Sequence, residues 1–280
     1  MKLEYIVDKN DLMVKEYLEE LEFSRRYRKK IKLYGKMIVN GVEVKNHFVL
    51  KKGDKLELIL DEELNDEIIP LDTNLDIVYE DECLLIVNKP NNLASQPSIK
   101  HFEDNLISIV KAHYIKNNIT SNIHLVNRLD YATSGLLMIA KDGVIHHKMQ
   151  ENVERNYYAK VTGILDIKKG TIDIGIRRVS DDSILRECSV DGSRAITHYE
   201  VVRENIEENY SIVKCVLETG RTHQIRLHMS HIGHSIIGDK LYGTVDGEIL
   251  YLHSFKISFN HPITNEQLTF IKEPHWLERS

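Results

Sequence analysis

Apolar segments with strand-like patterning follow one another between residues 84 and 220, separated by turns rather than regularly by helices. Parallel strands need a long, usually helical, crossover, whereas antiparallel strands are joined by short turns. We therefore expect an α+β fold built on a mixed, largely antiparallel sheet with flanking helices. The segments that predict its strands are LLIVN (84–88), SGLLMIAK (134–141), YYAKVTGIL (157–165), ITHYEVV (196–202) and YSIVKCVLETG (210–220).

An acidic segment divides the chain into a small part and a large part. Residues 61–72, DEELNDEIIPLD, contain six acids, one proline and no base, a composition typical of a solvated linker. Before this segment the sequence predicts two short helices and several small strands, with a hairpin turn at Asn40-Gly41 and another turn at Gly53-Asp54. We predict an N-terminal module over residues 1–62, a linker over 63–72 and a second domain over 73–280.

The first helix of the module is expected to begin after Asn10 or Asp11, and the second, which Ser24 would cap, is strongly basic. Residues 25–36, RRYRKKIKLYGK, carry seven bases and no acid, although the whole chain has a net charge of −6. The pattern resembles the small RNA-binding module first described in a ribosomal protein of the small subunit. We predict that this helix contacts RNA, against the alternative of a solvated basic face. The residues expected to do so are Arg25, Arg26 and Lys29.

Composition limits the class of protein further. A chain with 42% hydrophobic and 29% charged residues is typical of a globular protein, and no stretch reaches the roughly 18 to 20 apolar residues of a membrane span. The first twenty residues lack the apolar block of a secretory signal, so we expect a cytoplasmic protein. Cys83, Cys188 and Cys215 are far apart in the sequence, which predicts free thiols rather than disulfides or a thiolate metal site.

Asp130 lies in the segment VNRLDYATSGLLMIAK (126–141), where a charged pair precedes an apolar run. Thr133, Ser134 and Gly135 are small, turn-forming residues, so we expect a tight loop that presents Asp130 at the edge of the sheet. Arg128 lies two residues earlier, and in an extended segment its side chain leaves on the same face as that of Asp130. A solvated charged turn is the alternative interpretation.

A predicted strand end followed by a helix gives a second candidate group, in LETGRTHQIRLHMSHIGH (217–234). The strand is expected to break at Thr219-Gly220, and an amphipathic helix to begin at Thr222. Arg221 at this junction can reach a carboxylate in bidentate geometry and keep it ionised. Four nearby histidines match no familiar metal-site spacing, so we expect no metal and interpret them as helix-packing or capping residues. They are His223, His228, His231 and His234.

Four motifs in this order resemble the RluA-type family of RNA pseudouridine synthases, and the resemblance covers the chain from about residue 73 onwards. They are NRLDYATSGL (127–136), RNYYAKVTG (155–163), LETGRTHQIRLH (217–228) and LHSFKISFNHP (252–262). A single Arg-Leu-Asp would be weak evidence, whereas four motifs in the family's order are specific. The resemblance implies the family's fold and an isomerase that acts on structured ribosomal or transfer RNA without cofactor or metal.

The resemblance also implies a role for each matching residue. Asp130 corresponds to the family's catalytic aspartate, the nucleophile or base that lets uracil detach from its ribose, rotate and rejoin through carbon 5. Tyr157 corresponds to the aromatic residue that packs on the base, and Arg221 to the arginine that pairs with the aspartate. Arg128 corresponds to the residue that fills the stack when the uridine is flipped out. Leu217 is expected to form a wall of the site, or else to be an ordinary core residue of its strand.

Asn127 departs from the pattern, because the family usually has histidine there. The change leaves Asp130 untouched but alters the hydrogen bonds that position its loop. Tyr157, rather than Tyr158, is expected to face the site because the Tyr-x-Ala spacing selects it.

Two other functions fit the same sequence. One is an RNA-binding protein that no longer catalyses, and the intact set of Asp130, Tyr157 and Arg221 argues against it. The other is a glycosidic hydrolase, which needs a second acid, and Glu218 is the nearest in the motifs. We expect an enzyme that acts as a monomer without an obligatory protein partner.

Overall fold

The computed structural model describes residues 2–21, 23, 25–59, 67–150 and 152–277, with the backbone alone at residues 2, 26 and 30. Within these residues, the N-terminal part contains two helices and six short strands. They are β1 (Lys2–Ile6), β2 (Leu12–Met13), α1 (Val14–Glu20), α2 (Arg25–Tyr34), β3 (Lys36–Val39), β4 (Val42–Val44), β5 (Val49–Leu50) and β6 (Lys55–Ile59). Four of the strands form an antiparallel sheet in the order β1-β6-β3-β4, and β2 pairs with β5.

The predicted hairpin turn is confirmed, and the predicted start of the first helix is wrong. Asn40 and Gly41 have φ values of 49° and 84°, the left-handed pair that a tight hairpin turn between β3 and β4 requires. Helix α1 begins only at Val14. Asp11 has a left-handed φ of 61°, and the next two residues form β2, which pairs with β5. Ser24, the predicted cap of α2, lies outside the described residues.

The larger part of the chain is an α+β structure, as predicted. Its helices are α3 (Leu106–Lys116), α4 (Gly143–Met149) and α5 (Gln224–His231). Its strands are β7 (Ile77–Glu80), β8 (Leu84–Lys89), β9 (His124–Leu125), β10 (Ser134–Ala140), β11 (Val153–Thr162), β12 (Lys169–Asp173), β13 (Ile176–Arg178), β14 (Arg186–Cys188), β15 (Ile196–Asn205), β16 (Tyr210–Leu217), β17 (Leu252–Asn260) and β18 (Gln267–Ile271).

Ten of these strands form one sheet. Its main path runs β12-β15-β16-β11-β17-β10-β8-β7, with β18 beside β17 and β9 beside β10, while β13 and β14 form a separate hairpin. Among the described residues β10 and β17 pair in parallel, and the other pairs of the sheet are antiparallel. This arrangement confirms the expected mixed, largely antiparallel sheet.

Strand β10 is buried on both faces, because its alternate side chains enter two different hydrophobic clusters. Leu136 and Met138 pack into a cluster that also contains side chains of the N-terminal part. Leu137 and Ile139 face the opposite cluster, which includes residues of α3 and α5. Since neither face of the strand meets solvent, its sequence is a continuous apolar run rather than an alternating one.

The parallel contact between β10 and β17 depends on Gly135. Its φ is +111°, and a Cβ atom at this position would lie 2.3 Å from the backbone oxygen of Ser254. Only glycine tolerates both the dihedral angle and the close approach. The Ser-Gly pair that sequence reasoning interpreted as part of a turn is therefore also the point where β10 enters the sheet beside β17.

The linker is described only from residue 67 onwards, so the division into domains at 62 and 73 stays a prediction. Leu71 at its end donates a backbone hydrogen bond of 3.0 Å to the carbonyl of Ser108 in α3. In the described part of the chain, no helix has the length and apolar character needed to cross a lipid bilayer.

Candidate active site

Asp130 lies in the loop between β9 and β10, and this loop is held tightly at several points. The amide of Thr133 donates to the carbonyl of Asp130 at 3.1 Å, which closes a turn directly after the carboxylate. The hydroxyl of Ser95 donates to the carbonyl of Leu129 at 2.6 Å and accepts from the amide of Leu129 at 3.3 Å. The expected tight loop at the edge of the sheet is present, with Asp130 half-buried within it.

Asn127 ties the start of this loop to β10. Its Oδ1 accepts a hydrogen bond of 2.8 Å from the amide of Met138, and its Nδ2 lies 3.5 Å from the carbonyl of Leu136. The side chain is only 4% exposed, so these backbone groups have no access to solvent there. Asn127 thus supplies a donor and an acceptor at the position where the family usually has histidine.

Lys89, which follows the predicted strand LLIVN and was not predicted as a site residue, holds the loop of Asp130 in place. Its fully buried ammonium group donates to the carbonyls of Pro90, Leu93 and Tyr131 at 2.9, 2.8 and 3.3 Å. Burial lowers the pKa of Lys89 to about 7, although the charge of Asp130 acts to raise it. Lys89 therefore links the backbone just after β8 to that of Tyr131, the residue that follows Asp130.

The basic partner of Asp130 is Arg226. Its Nη1 lies 3.3 Å from Oδ2 of Asp130, while its Nε and Nη2 bind the two oxygens of Asp239 at 2.8 and 2.7 Å. Asp239 also accepts amide hydrogen bonds from Leu241 and Tyr242. Burial alone would raise the pKa of Asp239, but the hydrogen bonds and charge of Arg226 hold it below its ordinary value.

The expected pairing of Arg221 with Asp130 is wrong. Helix α5 begins at Gln224 rather than Thr222, because His223 adopts a left-handed φ of 59° and Gln224 accepts from the Arg221 amide at 2.9 Å. This turn sends the Arg221 side chain outward, where its Nε donates to the carbonyl of Arg194 at 3.0 Å. Arg221 lines the cavity beside Asp130 but does not pair with it.

Arg226 could have been found in the sequence. It stands between the apolar residues Ile225 and Leu227 of the predicted helix, and a buried arginine requires a carboxylate partner. Asp239, thirteen residues further on, has no comparable sequence signal.

Asp130 opens onto a cavity of about 490 Å³ that contains most of the other predicted site residues. Tyr157, Leu217 and Arg128 all line it, as do Arg155 and the loop that carries Asp130. Among the described residues, Asp130 is the only acid in the lining. A cavity of this size suits a small organic group such as a nucleotide.

Tyr157 faces the cavity from β11, whereas Tyr158 points away. Tyr157 is 6% exposed and belongs to the same hydrophobic cluster as Leu137 and Leu217. Tyr158 instead stacks on Phe255 with ring centroids 3.9 Å apart. The Tyr-x-Ala spacing therefore selected the ring that faces the cavity, and burial raises the pKa of its phenol.

His223 adds a group that sequence reasoning had assigned to packing. Its Nε2 lies 3.9 Å from Asp130 and its Nδ1 is 2.8 Å from the hydroxyl of Tyr242. Burial lowers the pKa of His223, against the opposing effect of the Asp130 charge. His228 and His234 do have packing roles, since they bind the backbone carbonyls of Ile174 and Thr162.

A second titratable cluster, Asp81, Cys83 and His261, lies at the other end of β8 from Lys89. Nδ1 of His261 accepts from the amides of Ile263 and Thr264, so the imidazole proton is on Nε2 and points at Asp81, 2.8 Å away. Metal binding through Nε2 requires the proton on Nδ1 instead. The hydrogen bonds of this cluster therefore stabilise the turn between β7 and β8.

The predicted RNA-contacting residues lie away from this cavity, on α2. Arg25 and Lys29 are exposed, while the side chain of Arg26 lies outside the described residues. Arg28 on the same helix is partly covered and forms an ion pair with Glu19. The described side chains therefore leave a basic surface on this helix.

The chain is similar in sequence to known RNA pseudouridine synthases. Residues 83–231 match the family model described as RNA pseudouridylate synthase. A Bacillus subtilis protein named as the RNA pseudouridine synthase YjbO is 40% identical over 268 residues, covering 92% of this chain and 94% of that protein. The ribosomal large subunit pseudouridine synthase D of Xylella fastidiosa is 31% identical and covers 86% of this chain and 78% of its own length.

Solved structures show the same fold. The human RNA pseudouridylate synthase domain containing 1 superimposes with a TM-score of 0.58 at 24% identity, over 72% of this chain and 84% of that one. The human domain containing 4 gives a TM-score of 0.57 at 21% identity, over 72% of this chain and 90% of that one.

Proposed function

The chain belongs to the RNA pseudouridylate synthase family, and on that premise we propose that Asp130 is the carboxylate with which it isomerises a specific uridine in structured RNA. The observation that carries this proposal is the position of Asp130. It is the one acid that lines the 490 Å³ cavity within the described residues, and it lies beside a buried guanidinium and across from a buried tyrosine.

The reaction needs a carboxylate that is ionised and poorly solvated. Asp130, acting as nucleophile or base, promotes cleavage of the bond between ribose C1′ and uracil N1. The uracil then turns, C5 bonds to C1′, and the proton on C5 is lost while N1 gains one, so that the product is an isomer of the substrate. Arg226 places a guanidinium 3.3 Å from Oδ2 of Asp130 and so fixes the orientation of the carboxylate in the cavity.

Tyr157 forms the surface on which the uracil packs while it turns. An aromatic ring stacks on a base whichever edge the base presents, so the contact survives the rotation. Leu217 closes the cavity on another side, and Arg128 on the exposed rim takes the place of the flipped uridine in the RNA stack. Arg221, free of Asp130, is assigned to the RNA backbone at the rim.

The two alternatives are less well supported. A glycosidic hydrolase needs a second carboxylate, but Glu218 is exposed and its Oε1 binds Nε2 of His198 at 2.7 Å. Both oxygens of Asp239 are occupied by Arg226. A protein that only binds RNA would have no use for a buried Arg226 held against Asp130, because burying charged groups is costly.

The RNA is ribosomal or transfer RNA, and the relatives named for the large ribosomal subunit favour ribosomal RNA. We propose that the protein acts as a monomer without an obligatory protein partner. The N-terminal basic helix is assigned to RNA binding outside the cavity.

The test is to incubate the purified protein with total RNA from cells that lack its gene and to map pseudouridine chemically. We expect at least one new site to become modified. Failure to modify any uridine in that RNA, with correctly folded protein, would contradict the proposed function.

A further inference from the structure

A stacked pair of aromatic rings lies on the rim of the cavity, directly beside Asp130. The rings of His101 and Tyr131 have centroids 4.7 Å apart and planes inclined by 24°. Both residues line the cavity that Asp130 lines. Tyr131 remains 45% exposed even though His101 stacks on its ring. The exposed part of the Tyr131 ring, at the mouth of a polar cavity, offers a flat surface on which another planar group can stack.

The pair is held rigidly from both sides. Ser98 and His101 exchange two backbone hydrogen bonds of 3.2 and 3.1 Å, which closes a tight turn, and the imidazole Nδ1 of His101 lies 2.9 Å from Asp104. The buried amide of Asn105 donates to the carbonyl of His101 at 3.2 Å. On the other side, the carbonyl of Tyr131 accepts from Lys89 and from the amide of Leu93.

Because its supports are fixed, the pair loses little conformational freedom when a flat ligand stacks on it. The chain itself places no ring contact on Tyr131 other than that of His101 among the contacts described. A planar, aromatic ligand therefore fits this surface better than an aliphatic one.

We propose that His101 and Tyr131 form a platform on which the base next to the target uridine stacks. The inference rests on the proposed function, since it takes the uridine to be flipped into the cavity beside Asp130. Flipping a nucleotide removes a stacking partner from each of its neighbours in the RNA strand. The platform replaces one lost partner, and because Tyr131 follows Asp130 directly, it couples the position of the neighbouring base to that of the carboxylate.

The platform selects substrate by the type of neighbour. Purines have a larger stacking surface than pyrimidines, so a purine beside the target uridine is favoured. No hydrogen-bonding group of the two rings is needed for this preference, because it comes from the strength of stacking.

The experiment uses two measurements on the full-length protein. The first is binding of a single-stranded RNA of about 12 nucleotides that contains one uridine with 2-aminopurine beside it. The second is pseudouridine formation in total RNA from cells that lack the gene. The variants are Tyr131→Ala, His101→Ala and Tyr131→Trp, with Ile206→Ala as the control, because Ile206 is an 81% exposed apolar residue that does not line the cavity.

Tyr131→Ala is expected to weaken binding of the 2-aminopurine RNA by about 5- to 100-fold. Tyr131→Trp should recover most of that binding, because it restores a ring without the phenol hydroxyl. In pseudouridine formation, Tyr131→Ala should mainly raise the RNA concentration needed for the half-maximal rate. Its rate at saturating RNA should fall less. His101→Ala should show a smaller loss of the same kind, and Ile206→Ala should bind like the wild type.

Binding by Tyr131→Ala within twofold of the wild type, in protein with an unchanged melting temperature, would overturn the platform. So would a Tyr131→Trp variant as weak as Tyr131→Ala. Wild-type protein that binds the RNA through Tyr131 but forms no pseudouridine would refute the proposed function and leave the platform standing. The two failures are therefore distinguishable.

Discussion

Arg226 reaches Asp130 from the first turn of α5, with Nη1 of the guanidinium 3.3 Å from Oδ2 of the carboxylate. The same guanidinium is oriented by a bidentate contact with the buried Asp239. A single buried arginine thus holds the carboxylate of the loop against the helix, and the orientation of Asp130 depends on residues almost one hundred positions away in the sequence.

Arg226 should therefore matter to the chemical step, and Arg221 to RNA binding. We expect Arg226→Gln to slow pseudouridine formation at saturating RNA by about 10²-fold or more, because a charge aimed at the reacting carboxylate is lost. Arg226→Lys, which keeps the charge but cannot bridge two carboxylates, should also be slow. Arg221→Gln should instead raise the RNA concentration required. Single-turnover kinetics separate the two effects, and a slow chemical step in Arg221→Gln alone would restore Arg221 as the partner of Asp130.

The basic surface of α2 should contribute to affinity through the RNA backbone. Reversing charge in Arg25→Glu with Lys29→Glu is expected to weaken RNA binding and to reduce the slope of log affinity against log salt by about 0.7 for each lost phosphate contact on single-stranded RNA. The matched control is Lys51→Glu with Lys52→Glu, the same charge change on the exposed turn before β6. Equal salt slopes in the wild type and the α2 variant would show that the helix face is only solvated.

Gly135 should be irreplaceable for a steric reason. A methyl group there would lie 2.3 Å from the Ser254 backbone, so Gly135→Ala must separate β10 from β17 and is expected to cost more than about 4 kcal/mol in the free energy of unfolding. Gly233 has a similar φ of +88° but no atom within 4 Å of an added Cβ. Gly233→Ala should cost only about 1–2 kcal/mol. Urea unfolding measures both values, and equal losses would show that the dihedral angle alone is responsible.

His253 should make the fold sensitive to acid. Its Nδ1 accepts from the Ser134 hydroxyl at 2.8 Å and its Nε2 donates to the Lys272 carbonyl at 2.9 Å, so the neutral ring is fully satisfied. Burial lowers the pKa of His253 to about 4, from about 6.5 in the unfolded chain. Between these values only the unfolded chain binds the proton, so stability should fall by about 3 kcal/mol as the pH drops from about 6.5 to about 4.

The pH dependence can be measured by urea unfolding at several pH values. His253→Gln should show a shallower decline in this window than the wild type, whatever its absolute stability. His47→Gln, which changes an exposed histidine, is the control and should decline like the wild type. An unchanged slope in His253→Gln would mean that other groups cause the loss of stability in acid.

Local sequence patterns predicted much of the fold because they act over short distances. The hairpin at Asn40-Gly41 follows from two residues that tolerate positive φ, and the strand β10 from an apolar run. The start of α1 could not be predicted in this way. The residues just before it, Leu12 and Met13 of β2, pair with β5 about forty positions later, and this long-range contact overrides the local cap signal.

The sequence predicted which residues come together at the candidate site, but not which arginine contacts Asp130. Asp130, Tyr157, Leu217 and Arg128 share a cavity, as the motifs suggested. The expected pairing of Arg221 failed because a left-handed His223 delays the helix, and histidine adopts this conformation too rarely for the sequence to predict it. Lys89 was missed because its role depends on three carbonyl groups that meet only in the folded chain.

The central claim, that Asp130 carries out an isomerisation of uridine, is tested most directly by tritium release. Formation of a bond between C1′ and C5 expels the hydrogen on C5, so RNA labelled with [5-³H]uridine releases tritium to water at each turnover, whichever uridine is the target. Wild-type protein should release tritium, and Asp130→Asn, with the same melting temperature, should be slower by about 10³-fold or more. Release by Asp130→Asn at the wild-type rate would contradict the account.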